Sequence, residues 1–298
     1  MCCLTLSAQN ELNQEELIQL PFEDLDTFYV HASTEHDFYA TLAYAQALTT
    51  KTKSVYGEKD TLYGLRLITL GMNNYYLGNY QKTLTNWVTA KAVFEKKWGT
   101  KHSEYISVSG NIALLHYYLG NYKIAEKLTL EVKEIRANTV GKEHQEYAFL
   151  LNNLGLIYWT TNRYEAAEGA YLECKKIIEQ TVGQDHPEYA NVISNLASLY
   201  SKTGRYDEVE PLYLQTKEIM SIVHGKEHPY YIASLANLAA LYAVLEENEK
   251  AEALHLEAKA IRARTMGTNH PEDARGLRSW GRLYLEMDQL EKAEETLI

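Results

Sequence analysis

Residues 144–183, HQEYAFLLNNLGLIYWTTNRYEAAEGAYLECKKIIEQTVG, decide the fold. Forty-two residues later the text returns as HPEYANVISNLASLYSKTGRYDEVEPLYLQTKEIMSIVHG, and forty-two earlier it reads HSEYISVSGNIALLHYYLGNYKIAEKLTLEVKEIRANTVG. Gly57, Gly99, Gly141, Gly183, Gly225 and Gly267 all fall on this one period. Self-similarity at such a period is the mark of a solenoid, in which each unit packs mainly on its neighbours.

Each unit resolves into two helices. In the quoted unit Tyr147, Leu150, Leu151, Leu154 and Tyr158 recur at three- and four-residue steps, an apolar stripe of helical period. The Thr161–Tyr164 segment breaks it, and a second stripe follows through Ala167, Ala170, Tyr171, Cys174 and Ile178. Gly78, Gly120 and Gly204 share the column of that break, which predicts a left-handed helix C-cap. Asn162 tolerates that geometry, whereas Glu246 and Asp288 depart from the pattern. Pro187, Pro229 and Pro271 suit a first helical turn, where the missing N–H costs nothing.

Residues 1–34 read as an N-terminal segment with a degenerate capping helix, and 35–298 as the solenoid, whose final unit is incomplete. Stopping inside a second helix, at EKAEETLI, leads to the expectation that the native polypeptide continues. In the opening MCCLTLSAQN, Ser7-Ala8-Gln9 resembles the end of a secretory signal. The basic start is missing and the apolar piece is short. A cytoplasmic location is favoured, with an exported or periplasmic one following if residues 1–8 are a truncated signal.

A net charge of -11 opposes binding to nucleic acid or an anionic membrane. No apolar run is long enough to span a bilayer. Three cysteines make no disulfide framework, and Cys174 reads as a buried free thiol. His102, His144, His186, His228 and His270 stand one repeat apart, on the order of 10 Å. That is too far for a shared zinc, so they read as helix-start residues. No phosphate loop, metal cluster or activated nucleophile is present. The expectation is a protein without catalysis, cofactor or metal.

The pattern L-x-N-L-G/A-x-L-Y followed by G-R-Y-x-E-A-E-x-L-Y resembles the tetratricopeptide repeat. Leu151, Leu154, Gly155, Tyr158, Tyr164 and Ala167 stand at its signature positions, as do Leu196, Ala197, Tyr200, Gly204 and Tyr206 one unit on. The 42-residue form is similar to the repeats of kinesin light chain and of many bacterial scaffold and effector proteins. The resemblance covers about residues 36–298. It implies an all-α, right-handed superhelical solenoid of antiparallel helix pairs that binds a peptide or protein in its concave groove. A leading coiled coil, expected for the kinesin-specific role, is missing. The other function implied is that of a sensor region whose effector domain, such as a caspase-like protease, lies beyond residue 298.

By the same resemblance the first helices line the groove. Their inward columns hold Leu65, Ile68, Met72, Tyr75 and Tyr76, then Ser107, Gly110, Leu114, Tyr117 and Tyr118, then Phe149, Asn152, Leu156, Trp159 and Thr160. The next unit turns polar, with Asn191, Ser194, Ser198, Ser201 and Lys202. Tyr75, Tyr76, Tyr117, Tyr118 and Trp159 lie outside the signature columns and form the expected aromatic anchor for a peptide. The alternative occupant of this patch is the segment 11–34. Asn111, Asn153, Asn195 and Asn237 form a ladder with two uses open to it, clasping a ligand backbone or bonding neighbouring helices. Arg275, Arg278 and Arg282 share one helical face suited to acidic groups, or to pairing with local glutamates. His116 and Asn74 replace the signature tyrosine in two units and need hydrogen-bond partners if buried.

Overall fold

The computed structural model describes residues 13–35 and 37–265, together with Gly281, Tyr284, Leu290 and Glu294. The described residues form an all-α, helix-pair solenoid without a strand. They divide into two compact units that meet in sequence at Gly141 and Lys142.

The first unit holds α1 (Gln14–Gln19), α2 (Phe22–Thr34), α3 (Phe38–Tyr56), α4 (Thr61–Tyr76), α5 (Tyr80–Trp98), α6 (Ser103–Tyr118) and α7 (Tyr122–Thr139). Pairs α2/α3, α4/α5 and α6/α7 stack in chain order, α3 on α4 and α5 on α6. α2 takes the place of a first repeat helix: Leu25 and Ala32 are buried forty-two residues before the buried Leu67 and Asn74. Its Asp26 holds Arg66 of α4 through two bonds, of 2.7 and 2.9 Å. The short α1 lies on α3, where Lys51 Nζ donates to the carbonyls of Ile18 and Leu20.

The second unit holds α8 (Gln145–Thr160), α9 (Tyr164–Thr181), α10 (Pro187–Lys202), α11 (Val209–His224), α12 (Pro229–Val244) and α13 (Asn248–Thr265). The pairs are α8/α9, α10/α11 and α12/α13, with α9 on α10 and α11 on α12. Pro187 and Pro229 occupy first turns as expected. Pro271 and the turn at Asp288 lie outside the described residues.

Local chemistry sets the helix ends. His102, His144, His186 and His228 are N-caps whose Nδ1 accepts the amide N–H two residues on, at 3.2–3.3 Å. Asp60 does the same one repeat earlier, at 2.8 Å. The histidine column is thus a structural device, answering orphan donors at helix starts. The turns inside the five pairs from α4/α5 to α12/α13 share a bond from the amide of Asn79, Asn121, Arg163, Arg205 or Glu247 to the carbonyl five residues earlier. This closure needs a left-handed residue just before the donor. Gly204 supplies it at φ 78°, Asn162 at 59° and even Glu246 at 62°.

One second helix starts late. In the preceding repeats it begins at Tyr80, Tyr122 and Tyr164, but Tyr206–Glu208 is a 3₁₀ turn and α11 begins at Val209. Pro211 explains this, because it has no N–H to give the carbonyl of Asp207 and its ring crowds that carbonyl. An open cavity of about 320 Å³ lies beside the turn, lined by residues including Leu172, Lys175, Leu196, Tyr200 and Pro211.

Small residues let the helices of a pair approach. Ala125, Ala167, Ala251, Thr83 and Val209 are all fully buried at one column. A Cβ at Gly155 would overlap the Tyr171 ring, and one at Gly71 the Trp87 indole. The signature tyrosines reach back to the preceding repeat. Tyr242 donates to Glu210 at 2.7 Å and Tyr284 to Glu252 at 3.0 Å. Tyr200 bonds Glu168 at the same spacing of thirty-two residues. Arg205 stacks over the Tyr200 ring at 3.9 Å and joins Glu168 at 2.7 Å. Burial, then the carboxylates, push the Tyr242 and Tyr284 hydroxyls up to about 12.

Where the tyrosine is replaced, the glutamate is missing too. Asn74 and His116 stand thirty-two residues after Leu42 and Leu84. Asn74 is buried, with its amide nitrogen on the Leu70 carbonyl at 2.9 Å and its oxygen unpartnered. His116 is half-buried, which lowers its pKa, and its Nδ1 lies 3.4 Å from Asn121 Nδ2.

Candidate functional site

The first helices present two kinds of column. Signature residues such as Leu67, Ile112, Leu154 and Leu196 are buried, as the helix-pair core requires. The residues expected to face inward are not. Tyr76 is 64% exposed, Tyr118 56% and Phe149 43%. Leu65, Ser107 and Asn191 are exposed as well, while Ile68, Met72, Leu114, Asn152, Leu156, Ser194 and Ser198 are half-buried.

In the first unit the tyrosines form a continuous cluster. Tyr75 meets Tyr76 edge-on at 5.9 Å and Tyr118 of the next repeat at 6.3 Å, and Tyr118 meets Tyr117 at 5.6 Å. The cluster extends to the starts of the second helices. Phe38 joins Tyr76, Tyr80 joins Tyr75, and Tyr122 joins Tyr117. It therefore follows the ends of α4 and α6 at the turns, a continuation that the spacing of the first helices alone did not reveal. Burial chiefly raises the Tyr75 hydroxyl pKa, followed by Tyr118, Tyr80 and Tyr76. The segment 11–34 offered as an alternative occupant contributes α2, whose described bonds to the repeats run to Arg66 and Asn73 of α4.

In the second unit the open columns are lined by amides and hydroxyls. Asn195 Nδ2 donates to Asn152 Oδ1 at 2.8 Å, and Asn237 Nδ2 to Ser194 Oγ at 3.4 Å. The ladder thus bonds from one first helix to the next at these two steps, and an amide oxygen with two lone pairs keeps acceptor capacity. Asn111 and Asn153 are half-buried on the same column. Tyr213 of α11 reaches past Ala197 to Ser198 Oγ, at 2.9 Å. This residue was not anticipated. Its signal is the small residue sixteen positions earlier, repeated as Gly71 before Trp87 and Gly155 before Tyr171. Trp159 is half-buried against the core around Tyr171, Leu196 and Leu199, with its indole N–H buried and unbonded. It is less of an open anchor than Tyr76 or Tyr118. Arg275, Arg278 and Arg282 lie outside the described residues.

Burial pushes the Cys174 thiol up to about 12, which keeps it protonated and unreactive. Among the described residues no group of three histidines, cysteines or carboxylates is placed to hold a metal ion. No described helix is long and apolar enough to cross a membrane.

Known proteins agree with this architecture. Structure comparison matches BtubC (BKLC) from P. vanneervenii, 21% identical over 83% of this chain and 94% of that one, with a TM-score of 0.61. A putative kinesin light chain of Podosopora anserina with nearly identical TPR-like repeats is 22% identical over 67% and 95% of the two chains, at 0.55. The Rap conjugation gene regulator of the plasmid pLS20, in complex with the Phr* peptide, is 14% identical over 98% and 76%, at 0.65. No protein of curated function matches the sequence. The family profile of the tetratricopeptide repeat matches four overlapping stretches, 104–180, 146–221, 188–262 and 230–297, together well over half the sequence. With its buried signature columns and repeated turns, the chain belongs to the tetratricopeptide repeat family.

Proposed function

We propose that this protein is a non-catalytic interaction scaffold that holds a peptide or protein segment on the first-helix faces of its repeats. The observation that carries the reading is the openness of columns outside the repeat signature, above all Tyr76, Tyr118 and Phe149. Large rings kept in water on a rigid scaffold supply anchoring area at little entropic cost. In the second unit, Asn152, Asn195 and Ser198 offer hydrogen-bonding groups to an extended backbone. The peptide-bound Rap regulator is a protein of similar fold that carries such a ligand.

The test is a library of unstructured peptides screened against the full chain, followed by amide hydrogen exchange with the tightest binder. Protection concentrated on the first helices of a unit, α4 and α6 or α8 and α10, is expected. Protection confined to the second helices, or a library without binders, would overturn the reading.

A further inference from the structure

We propose that the aromatic ledge of the first unit selects a proline-rich, extended segment flanked by acidic residues. The inference rests on the scaffold reading above and names the ligand class of one of its faces.

Shape comes first. The rings of Tyr76, Tyr75, Tyr118 and Tyr117 touch in series, and Phe38, Tyr80 and Tyr122 continue them along the turns. Flat rings with open faces suit pyrrolidine rings, and a polyproline helix is already stiff, so little freedom is lost on docking. Its pitch, three residues at ~3.1 Å each, is ~9 Å. The Tyr75 ring of α4 and the Tyr118 ring of α6 lie 6.3 Å apart, so one ligand turn can rest across both.

Hydrogen bonding points the same way. Proline carries a carbonyl acceptor and no N–H. The ledge is rich in phenolic hydroxyls, which can donate.

Charge decides the flanks. Residues 61–141 carry ten lysines and arginines against five aspartates and glutamates, a surplus of five positive charges in a chain of net -11. Lys82 and Lys123 are exposed in the first turns of α5 and α7, beside Tyr80 and Tyr122. Arg66 is already bound to Asp26 and adds little. A neutral proline core with acidic residues beyond it matches an aromatic strip that carries lysines beside Tyr80 and Tyr122, Asp37 standing at its Phe38 end.

The experiment is calorimetric titration of the full chain with the peptide Asp-Glu-Pro-Pro-Pro-Pro-Pro-Pro-Glu-Asp, with its hexa-alanine counterpart, and with cellohexaose as a glycan probe. The proline peptide is expected to bind at least tenfold more tightly than the alanine peptide. Tyr76→Ala combined with Tyr118→Ala should weaken it at least tenfold, and raised salt should weaken it further. Both tyrosines are exposed, and an unchanged circular dichroism melt will verify the fold. Equal binding of the alanine peptide, no binding of the proline peptide, or preference for cellohexaose overturns the proposal. The Asn152→Ala, Asn195→Ala double variant separates the two readings. If library peptides bind and only this variant loses them, the scaffold stands and the proline-rich class falls; if no library peptide binds, both fall.

Discussion

The hydroxyl of Tyr242 donates to Glu210 at 2.7 Å across thirty-two residues, fastening α12 to the second helix of the preceding repeat. The same clasp joins Tyr200 to Glu168 and Tyr284 to Glu252. The ring of Tyr242 is buried whichever group it carries, so the hydroxyl can be removed without opening a cavity. Tyr242→Phe should cost about 1.5–3 kcal/mol, the range of a hydrogen bond to a charged acceptor. Glu210→Gln should cost less, and the double variant should show non-additivity in urea denaturation. Additive effects would mean that the clasp contributes nothing of its own.

Two glycines of one repeat should respond oppositely to alanine. A Cβ at Gly155 overlaps the Tyr171 ring, whereas at Gly169, inside α9, it meets nothing within 4 Å. Gly155→Ala should destabilise by about 1–3 kcal/mol through overpacking. Gly169→Ala should stabilise by about 0.5–1 kcal/mol through helix propensity. Thermal melts of the two variants decide it, and a shift of the same sign in both would contradict the packing described.

Glu246 holds a left-handed turn at φ 62°, where Gly78, Gly120 and Gly204 stand in other repeats. A side chain is strained there. Glu246→Gly should raise the melting temperature, by about 1 kcal/mol of stability. An unchanged melt would show that the turn relaxes freely around the side chain.

His255 fills the column of Tyr171 and Tyr213 and is buried. Burial, helped by Arg262, lowers its pKa from 6.5 to about 4. A base with a lowered folded pKa binds its proton more readily when unfolded. Its stabilisation is therefore intact above pH 6.5 and drains away as the pH falls towards 4. Between pH 7 and pH 5 this amounts to about 2 kcal/mol. His255→Met should lose less stability than the parent over that interval, as read from urea midpoints. Parallel losses would assign the acid sensitivity to other groups.

Much of this architecture could be read from the chain alone, for a definite reason. The period, the turn glycines and the prolines at helix starts are local signals, each repeated several times. The Tyr–Glu clasps are not local: each joins two repeats through single atoms, and only the replacement of both partners, at Asn74 with Leu42 and His116 with Leu84, betrays them. Trp159 was legible as an unusual aromatic but not as a half-buried one, because whether an indole packs against the neighbouring core depends on how helices pack. The late start of α11 had a signal in Pro211, whose effect falls on a carbonyl four residues back. Repetition makes the fold visible, while the faces that distinguish this protein lie where its repeats stop agreeing.

The histidine caps carry a further consequence. An imidazole that accepts at Nδ1 keeps its proton on Nε2, so His102, His144, His186 and His228 share one tautomer. Four helix starts thus share one acceptor in one orientation, and a side chain that cannot accept at this position would leave the amide N–H two residues on without its partner.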